Sequence, residues 1–287
     1  MLQITQVREM QREADRLRAA GARIGFVPTM GYLHEGHLDL IRRCREHCDT
    51  VVVSIFVNPT QFAAGEDLQR YPRDLARDSS RAEGAGCNIL FVPDAAEVYP
   101  PGASTWVQVD GLSSVLEGKF RPTHFRGVTT VVTMLFHMVK PHVAVFGQKD
   151  AQQALLMRRM VRDLHMDISL VIVPTRREPD GLAMSSRNTY LSRSGRIEAL
   201  AISRSLRRAE QYVDDGGRDA AAVRSLVHAE LTRSGNVSVD YVALVDAETL
   251  ADIENITARP ALLAIAAHVE TTRLIDNTIL RAEKIES

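Results

Sequence analysis

The run Thr50-Val51-Val52-Val53-Ser54-Ile55-Phe56-Val57 is apolar on both faces. Such a strand must be covered on either side, which places it centrally in a parallel sheet. Apolar runs at 23–28, 88–92, 142–146 and 168–173 read as further strands, the last also buried. Helical spacing fills the intervals at 6–20, 37–47, about 80–85, 128–139 and 152–164. This alternation to about residue 175 predicts a doubly wound parallel α/β sheet. The segment 128–139 is apolar nearly all round and should be buried, whereas 105–109 alternates like a short edge strand. Beyond 175 the texture changes. Amphipathic helices at 194–214 and 219–234 precede three strands, 237–245, 261–267 and 273–280, with no helices between them, hence antiparallel. The expected organisation is a larger domain over 1–175 and a smaller α+β domain over 176–287.

The turn Pro28-Thr29-Met30-Gly31-Tyr32-Leu33-His34-Glu35-Gly36-His37 joins the strand at 23–28 to an amphipathic helix. Open α/β sheets bind ligands at such carboxyl ends. Gly31 and Gly36 let the backbone approach closely or take positive φ, and the N–H groups of the helix start favour an anion. His34 and His37, three apart, would share one face beside that anion. A zinc-hydrolase reading is weaker, because its helix pattern needs histidines four apart with a third ligand elsewhere.

Other strands end in polar turns too. Asn58-Pro59-Thr60-Gln61-Phe62 follows the central strand, and Asn58 and Gln61 serve either as turn caps or as ligand contacts. The segment 63–73, with Tyr71-Pro72-Arg73, reads as a mobile polar loop. Residues 121–127 form a basic turn holding His124 and Arg126. Gly147-Gln148-Lys149-Asp150 closes the strand at 142–146, with Gln153 in the next helix; Lys149 there is either solvated or charge-neutralising. Met184-Ser185-Ser186-Arg187 offers two hydroxyls and a guanidinium, a set suited to phosphate oxygens or to an ordinary helix cap. Neither GxxxxGK[ST] nor GxGxxG occurs, so neither a Walker loop nor a dinucleotide fingerprint accounts for a nucleotide site.

Composition narrows the classes. Hydrophobic residues are 45% and charged residues 25% of 287, ordinary for a globular protein, and no apolar run approaches a membrane span. The segment 1–18 carries Ile4, Val7, Met10 and Leu17 at helical spacing and lacks a signal peptide's apolar block, so a cytoplasmic location is expected. A net charge of −1 gives no field for nucleic acid. The three cysteines, Cys44, Cys48 and Cys87, form no CxxC pair and read as idle thiols in a reducing compartment.

With these residues in view, the chain resembles the pantoate–β-alanine ligase (pantothenate synthetase) family along essentially its whole length. The resemblance rests on PTMGYLHEGH at 28–37, FVNPTQF at 56–62, YPRD at 71–74, THFRGV at 123–128, FGQKDAQQ at 146–153 and PDGLAMSSRN at 179–188. The HxGH and MSSRN segments alone place it among HIGH-type nucleotidyltransferases, relatives of the class I aminoacyl-tRNA synthetases, with a Rossmann-like fold. The resemblance implies a two-step ligation. The carboxylate of (R)-pantoate attacks the α-phosphate of MgATP, pyrophosphate leaves, and β-alanine's amine then displaces AMP from pantoyl-adenylate.

By matching position, the family's ATP site falls on Pro28, Thr29, Met30, Gly31, His34, Gly36, His37, Gly147, Gln148, Lys149, Asp150, Arg176, Met184, Ser185, Ser186 and Arg187. His37, His34, Lys149 and Arg187 carry the catalytic roles, with His37 as the family's proton donor. Gln61 and Gln153 are the pantoate contacts, Asn58 and Tyr71 lie near the substrate, and Asp78 is the candidate for Mg²⁺. Arg176 replaces a usually apolar residue and Gln148 stands where Glu is also common. A homodimer is implied by the resemblance alone, as is a lid role for the smaller domain. One rival is a nucleotidylyltransferase of the same superfamily, which would need a phosphate cluster in place of Gln61 and Gln153. Another is a non-catalytic adenylate- or RNA-binding module, which the near-neutral charge disfavours.

Overall fold

The computed structural model describes residues 1–63 and 65–282. Residue 64 of the 63–73 loop lies outside them. The described chain divides into two compact units, 1–148 with 152–174, and 149–151 with 175 onward.

The first unit is built on a parallel sheet. Its strands are β1 (Leu2–Ile4), β2 (Ile24–Thr29), β3 (Thr50–Ile55), β4 (Ile89–Phe91), β5 (Val143–Gly147) and β6 (Ser169–Val173), in the order β1-β4-β3-β2-β5-β6. Val51, Val52 and Val53 of β3 are buried, as an interior strand requires. Helices α1 (Val7–Ala19), α2 (Glu35–Arg45), α3 (Leu75–Gly84), α4 (Ala95–Val98), α5 (Glu117–Phe120), α6 (His124–Val139) and α7 (Ala151–Asp163) connect or flank the strands. Phe125, Val128, Val132, Leu135, Phe136 and Val139 of α6 are all buried, so this helix does belong to the core. The path from β2 runs outward through β3 to β4, whereas the path from β5 runs the other way to β6. The switch point therefore falls between β2 and β5, where an α/β sheet opens its ligand crevice.

Three details correct the sequence reading. Leu2–Ile4 is a strand paired with Ile89–Phe91, not part of a helix face beginning at Met1. The segment 105–109 forms no strand. Val107 donates its N–H to Thr130 Oγ1 at 2.9 Å and accepts from Thr129 Oγ1, so hydroxyls on α6 satisfy its backbone. β6 is an edge strand, half-buried along most of its length, because only β5 pairs with it. Its apolar run suggested an interior place, but period alone does not fix position in a sheet.

The second unit packs α8 (Arg193–Asp214) and α9 (Ala220–Thr232) on an antiparallel sheet, β7 (Val237–Asp246), β8 (Ala261–Val269) and β9 (Thr272–Leu280). Ile202, Leu206, Val223, Val227 and Leu231 of the helices meet Leu244, Leu263, Ile265 and Leu274 of the strands in one core. Arg177 grips buried Asp276 with two hydrogen bonds, 2.6 and 3.2 Å long, and so anchors the start of this unit to β9.

Candidate active site

The histidine turn leaves β2 at its carboxyl end. Thr29 Oγ1 donates to the Ser54 carbonyl at 2.7 Å and accepts the Gly31 N–H at 3.2 Å, which tightens the turn. Gly31 has φ +83°, and a Cβ there would stand 3.1 Å from Asp78 Oδ2, so both conformation and space call for glycine. Gly36 instead sits inside the first turn of α2 with helical backbone.

Asp78, 1% exposed on α3, reaches under the turn and accepts N–H groups from Tyr32 at 2.6 Å and Leu33 at 2.7 Å. Burial pushes its carboxyl up, and the amides of Leu33 and Tyr32 with the Arg77 guanidinium pull it back only in part. No group of three or more His, Cys, Asp or Glu side chains suited to a metal occurs among the described residues.

His34 occupies the position just before α2 and His37 its third residue. Their rings stack with centroids 4.0 Å apart, 27° from parallel, and His34 donates its backbone N–H to His37 Nδ1 at 3.3 Å. An Nδ1 that accepts a backbone N–H leaves the ring proton of neutral His37 on Nε2.

After β3, the turn Pro59–Gln61 is a single 3₁₀ turn capped by Asn58, whose Oδ1 accepts the Thr60 N–H at 3.3 Å. Asn58 is 1% exposed and works as a hub. Its amide donates to Gln61 Oε1 and to the Gly127 carbonyl, both at 3.2 Å, while Oδ1 accepts from Tyr99 at 2.9 Å. Gln61 Nε2 points at Met30 Sδ, 2.9 Å away, so the histidine turn and the Gln61 turn are contiguous.

His124 Nδ1 and an Arg121 N–H both reach the Gln61 carbonyl, at 2.9 and 3.2 Å. Burial, then the Arg121 charge, lowers His124 to about 4, so its Nδ1–H is the donor. Arg121 also pairs with both oxygens of Glu66, which ties the loop after Gln61 to α5's end. Tyr71 is buried with its ring edge-on to Phe62. Sequence reasoning noted His124 as part of a basic turn but assigned no role to it, to Arg121 or to Tyr99. The THFRGV segment was the available signal.

Gly147 ends β5 and Gln148 follows it in the first unit, with Leu40 of α2 at 4.0 Å from the place of a Cβ on Gly147. Gln153 is half-buried on α7, whereas its neighbour Gln152 is fully engaged with Glu117 N–H and the carbonyls of Leu112 and Val115. Lys149 and Asp150 group with the second unit, where Asn277 Nδ2 donates to the Lys149 carbonyl at 2.8 Å. There Arg176 and Met184 are brought together across a hairpin, Met184 N–H donating to the Arg176 carbonyl at 2.9 Å. Ser185 Oγ accepts the Arg187 N–H at 3.2 Å, and Ser186 is buried at the start of a short 3₁₀ helix, Ser186–Tyr190.

Cys44 and Cys48 place their sulfurs 3.8 Å apart, and both lie against Gly25 on β2. Their mutual contact and burial push the Cys44 thiol up, and burial raises Cys87 to about 12. Neither is a thiolate nucleophile at neutral pH.

Paired imidazoles at a helix start and an oriented glutamine amide beside them lie at the switch point of an α/β sheet, where enzymes of this fold class bind their ligands. The family model for pantoate-beta-alanine ligase matches residues 2–279, and the chain belongs to that family. It is 53% identical to pantothenate synthetase of Thermotoga petrophila over 96% of this chain and 99% of the relative. Among solved structures, pantothenate synthetase of Thermus thermophilus superposes with a TM-score of 0.91 at 44% identity, covering 97% of this chain and 99% of that one. The pantoate-beta-alanine ligase of Francisella tularensis, solved with beta-gamma ATP and beta-alanine, gives 0.80 at 31% identity over 97% of each chain. The chain is therefore a carbon–nitrogen ligase of pantothenate synthesis. No helix among the described residues is long and apolar enough to cross a membrane.

Proposed function

We propose that this chain's ATP-dependent condensation of (R)-pantoate with β-alanine uses the histidine and Gln61 turns of the first unit, with roles for Lys149 and Ser185–Arg187 carried over from the family resemblance. A pantoate carboxylate oxygen attacks the α-phosphorus, the bond to the bridging oxygen breaks, and pyrophosphate leaves. The β-alanine amine then attacks the acyl carbon of pantoyl-adenylate, loses a proton, and expels AMP. No covalent enzyme nucleophile is needed, so catalysis is positioning and charge stabilisation.

The observation that carries this reading is the hydrogen bond from His34 N–H to His37 Nδ1. It presents the His37 Nε2–H as a donor to the oxygens that gain charge as pyrophosphate departs. By the family resemblance Lys149 and Arg187 supply cationic donors to phosphate, and Pro28–Gly31, Gly36, Gly147, Gln148, Asp150, Arg176, Met184, Ser185 and Ser186 serve nucleotide binding. Gln61, with Oε1 held by Asn58, is left to donate from Nε2 to pantoate, and Gln153 is its counterpart. Asn58 then acts through Gln61 rather than on substrate, and Tyr71 supports the same wall.

Asp78 spends its oxygens on the turn's amides, so the reading that fits best has Mg²⁺ arriving on the triphosphate. The family resemblance supports a homodimer. Unpaired Cys44, Cys48 and Cys87 suit a reducing cytoplasm.

Exchange of labelled pyrophosphate into ATP tests the mechanism. Exchange that requires pantoate and is not elicited by amino acids is the expected result. Absence of pantoate-dependent exchange would refute the adenylate route.

A further inference from the structure

In the second unit, Arg204, Arg207, Arg208 and Gln211 lie three and four residues apart on α8 and so share one face. Glu230 and Arg233, from the end of α9, stand opposite. These six side chains line a cleft of about 310 Å³. Small-molecule sites start at about 300 Å³, so the cleft has room for a compact anion.

Glu230 is 2% exposed. Arg204 Nε donates to Oε1 at 3.1 Å, Arg208 donates to Oε2 at 2.9 Å, and Arg233 donates to Oε2 as well. Burial alone would push this carboxyl up, but the hydrogen bonds from Arg204 and Arg208 and the Arg233 charge hold it below the usual range. One anion thus holds three guanidiniums, and Arg207 lines the same cleft with its guanidinium beside Gly181.

The buried glutamate does not account for all of them. Two arginines already satisfy both of its oxygens, and Arg207 has no carboxylate partner among the described residues. Each of Arg204, Arg208 and Arg233 gives the glutamate one N–H of its five, and their side chains stay 43%, 51% and 69% exposed. Of the carboxylates nearby, Glu198 accepts from Asn236 and offsets part of the Arg204 charge, and Asp215 accepts from Gln211. Like charges held this close repel unless a counter-ion enters. The chain as a whole carries −1, so the excess is local to this cleft.

We propose that the cleft binds a small anion bearing two or more phosphate groups. Guanidinium forks match phosphate oxygens in pairs, and several forks around one cleft favour a ligand with more than one phosphate. Glu230 holds the forks in place and repels ligands that approach too deeply.

Equilibrium dialysis of labelled inorganic pyrophosphate tests it, using full-length Lys149→Ala protein so that the phosphate contact proposed at the ligase site is removed. Adding Arg207→Gln and Arg233→Gln leaves Arg204 and Arg208 on both Glu230 oxygens, which preserves the fold. The expected result is a loss of affinity of at least about tenfold, with binding that weakens as salt rises. Arg207→Gln/Arg233→Gln alone keeps the unsubstituted protein's pyrophosphate exchange rate. Unchanged pyrophosphate binding in the substituted protein would overturn the proposal. So would displacement of pyrophosphate by citrate at equal concentration, since that would mark a general polyanion patch.

Discussion

His34 and His37 are coupled through both ring and backbone: their imidazoles stack at 4.0 Å, and the His34 N–H donates to His37 Nδ1. The second contact fixes which nitrogen of His37 carries the proton. Removing one preorganised donor from a developing charge costs about 10²–10³ in rate. His37→Ala and Lys149→Ala are each expected to lose at least about that factor in pantoate-dependent exchange. An active His37→Ala enzyme would take away the role assigned to this ring. Nitrogen-resolved NMR of the neutral His37 ring should show Nε2 protonated and Nδ1 bare.

Asn58 is expected to act at one remove from substrate. Asn58→Ala leaves buried Gln61 Oε1 without its donor and takes one of two partners from the Tyr99 hydroxyl, which keeps Thr60 Oγ1 at 3.0 Å; a buried group left unpaired costs about 1–3 kcal/mol. Chemical denaturation should report a loss of that order. Steady-state kinetics should show KM for pantoate rising about tenfold, the equivalent of one hydrogen bond, with KM for ATP little changed. Equal effects on both substrates would argue against a role through Gln61.

His124 makes stability depend on pH. Burial and Arg121 hold it at about 4 in the folded protein, whereas an unfolded histidine titrates near 6.5. Between these values the unfolded chain binds more protons, so stability falls as pH drops from about 6.5 toward 4, by up to about 3 kcal/mol in total. In His124→Gln that part of the acid slope should disappear from denaturation midpoints taken across the interval. A slope equal to that of the unsubstituted protein would mean that other groups carry it.

Gly25 and Cys44 make a contrasting pair. A Cβ on Gly25 would stand 2.4 Å from the sulfurs of both Cys44 and Cys48, so Gly25→Ala overpacks the β2–α2 contact and should cost about 1–3 kcal/mol. Cys44→Ser should leave exchange activity unchanged, because its thiol is held protonated and away from any reacting group. A large rate loss in Cys44→Ser would show that this thiol does more than pack.

The sequence by itself determined what local period and turn chemistry can encode. The valine run at 51–53, the three antiparallel strands after α9 and the buried helix at 128–139 all sit where their spacing placed them. The paired histidines were legible for the same reason, since three residues on a helix start fix their neighbourhood. Only the tertiary structure decided what depends on distant partners. It made Leu2–Ile4 an edge strand through Ile89–Phe91, and it dissolved the strand expected at 105–109 because threonines on α6 reached Val107 first. It built the Gln61 wall from hydrogen bonds across 41, 63 and 69 residues of chain, and it gathered three arginines on Glu230 with Arg207 in the same cleft. The physical reason is the range of each signal. Helix and strand periods repeat within a few residues, whereas a buried amide or carboxylate must find its partners wherever the packed chain delivers them.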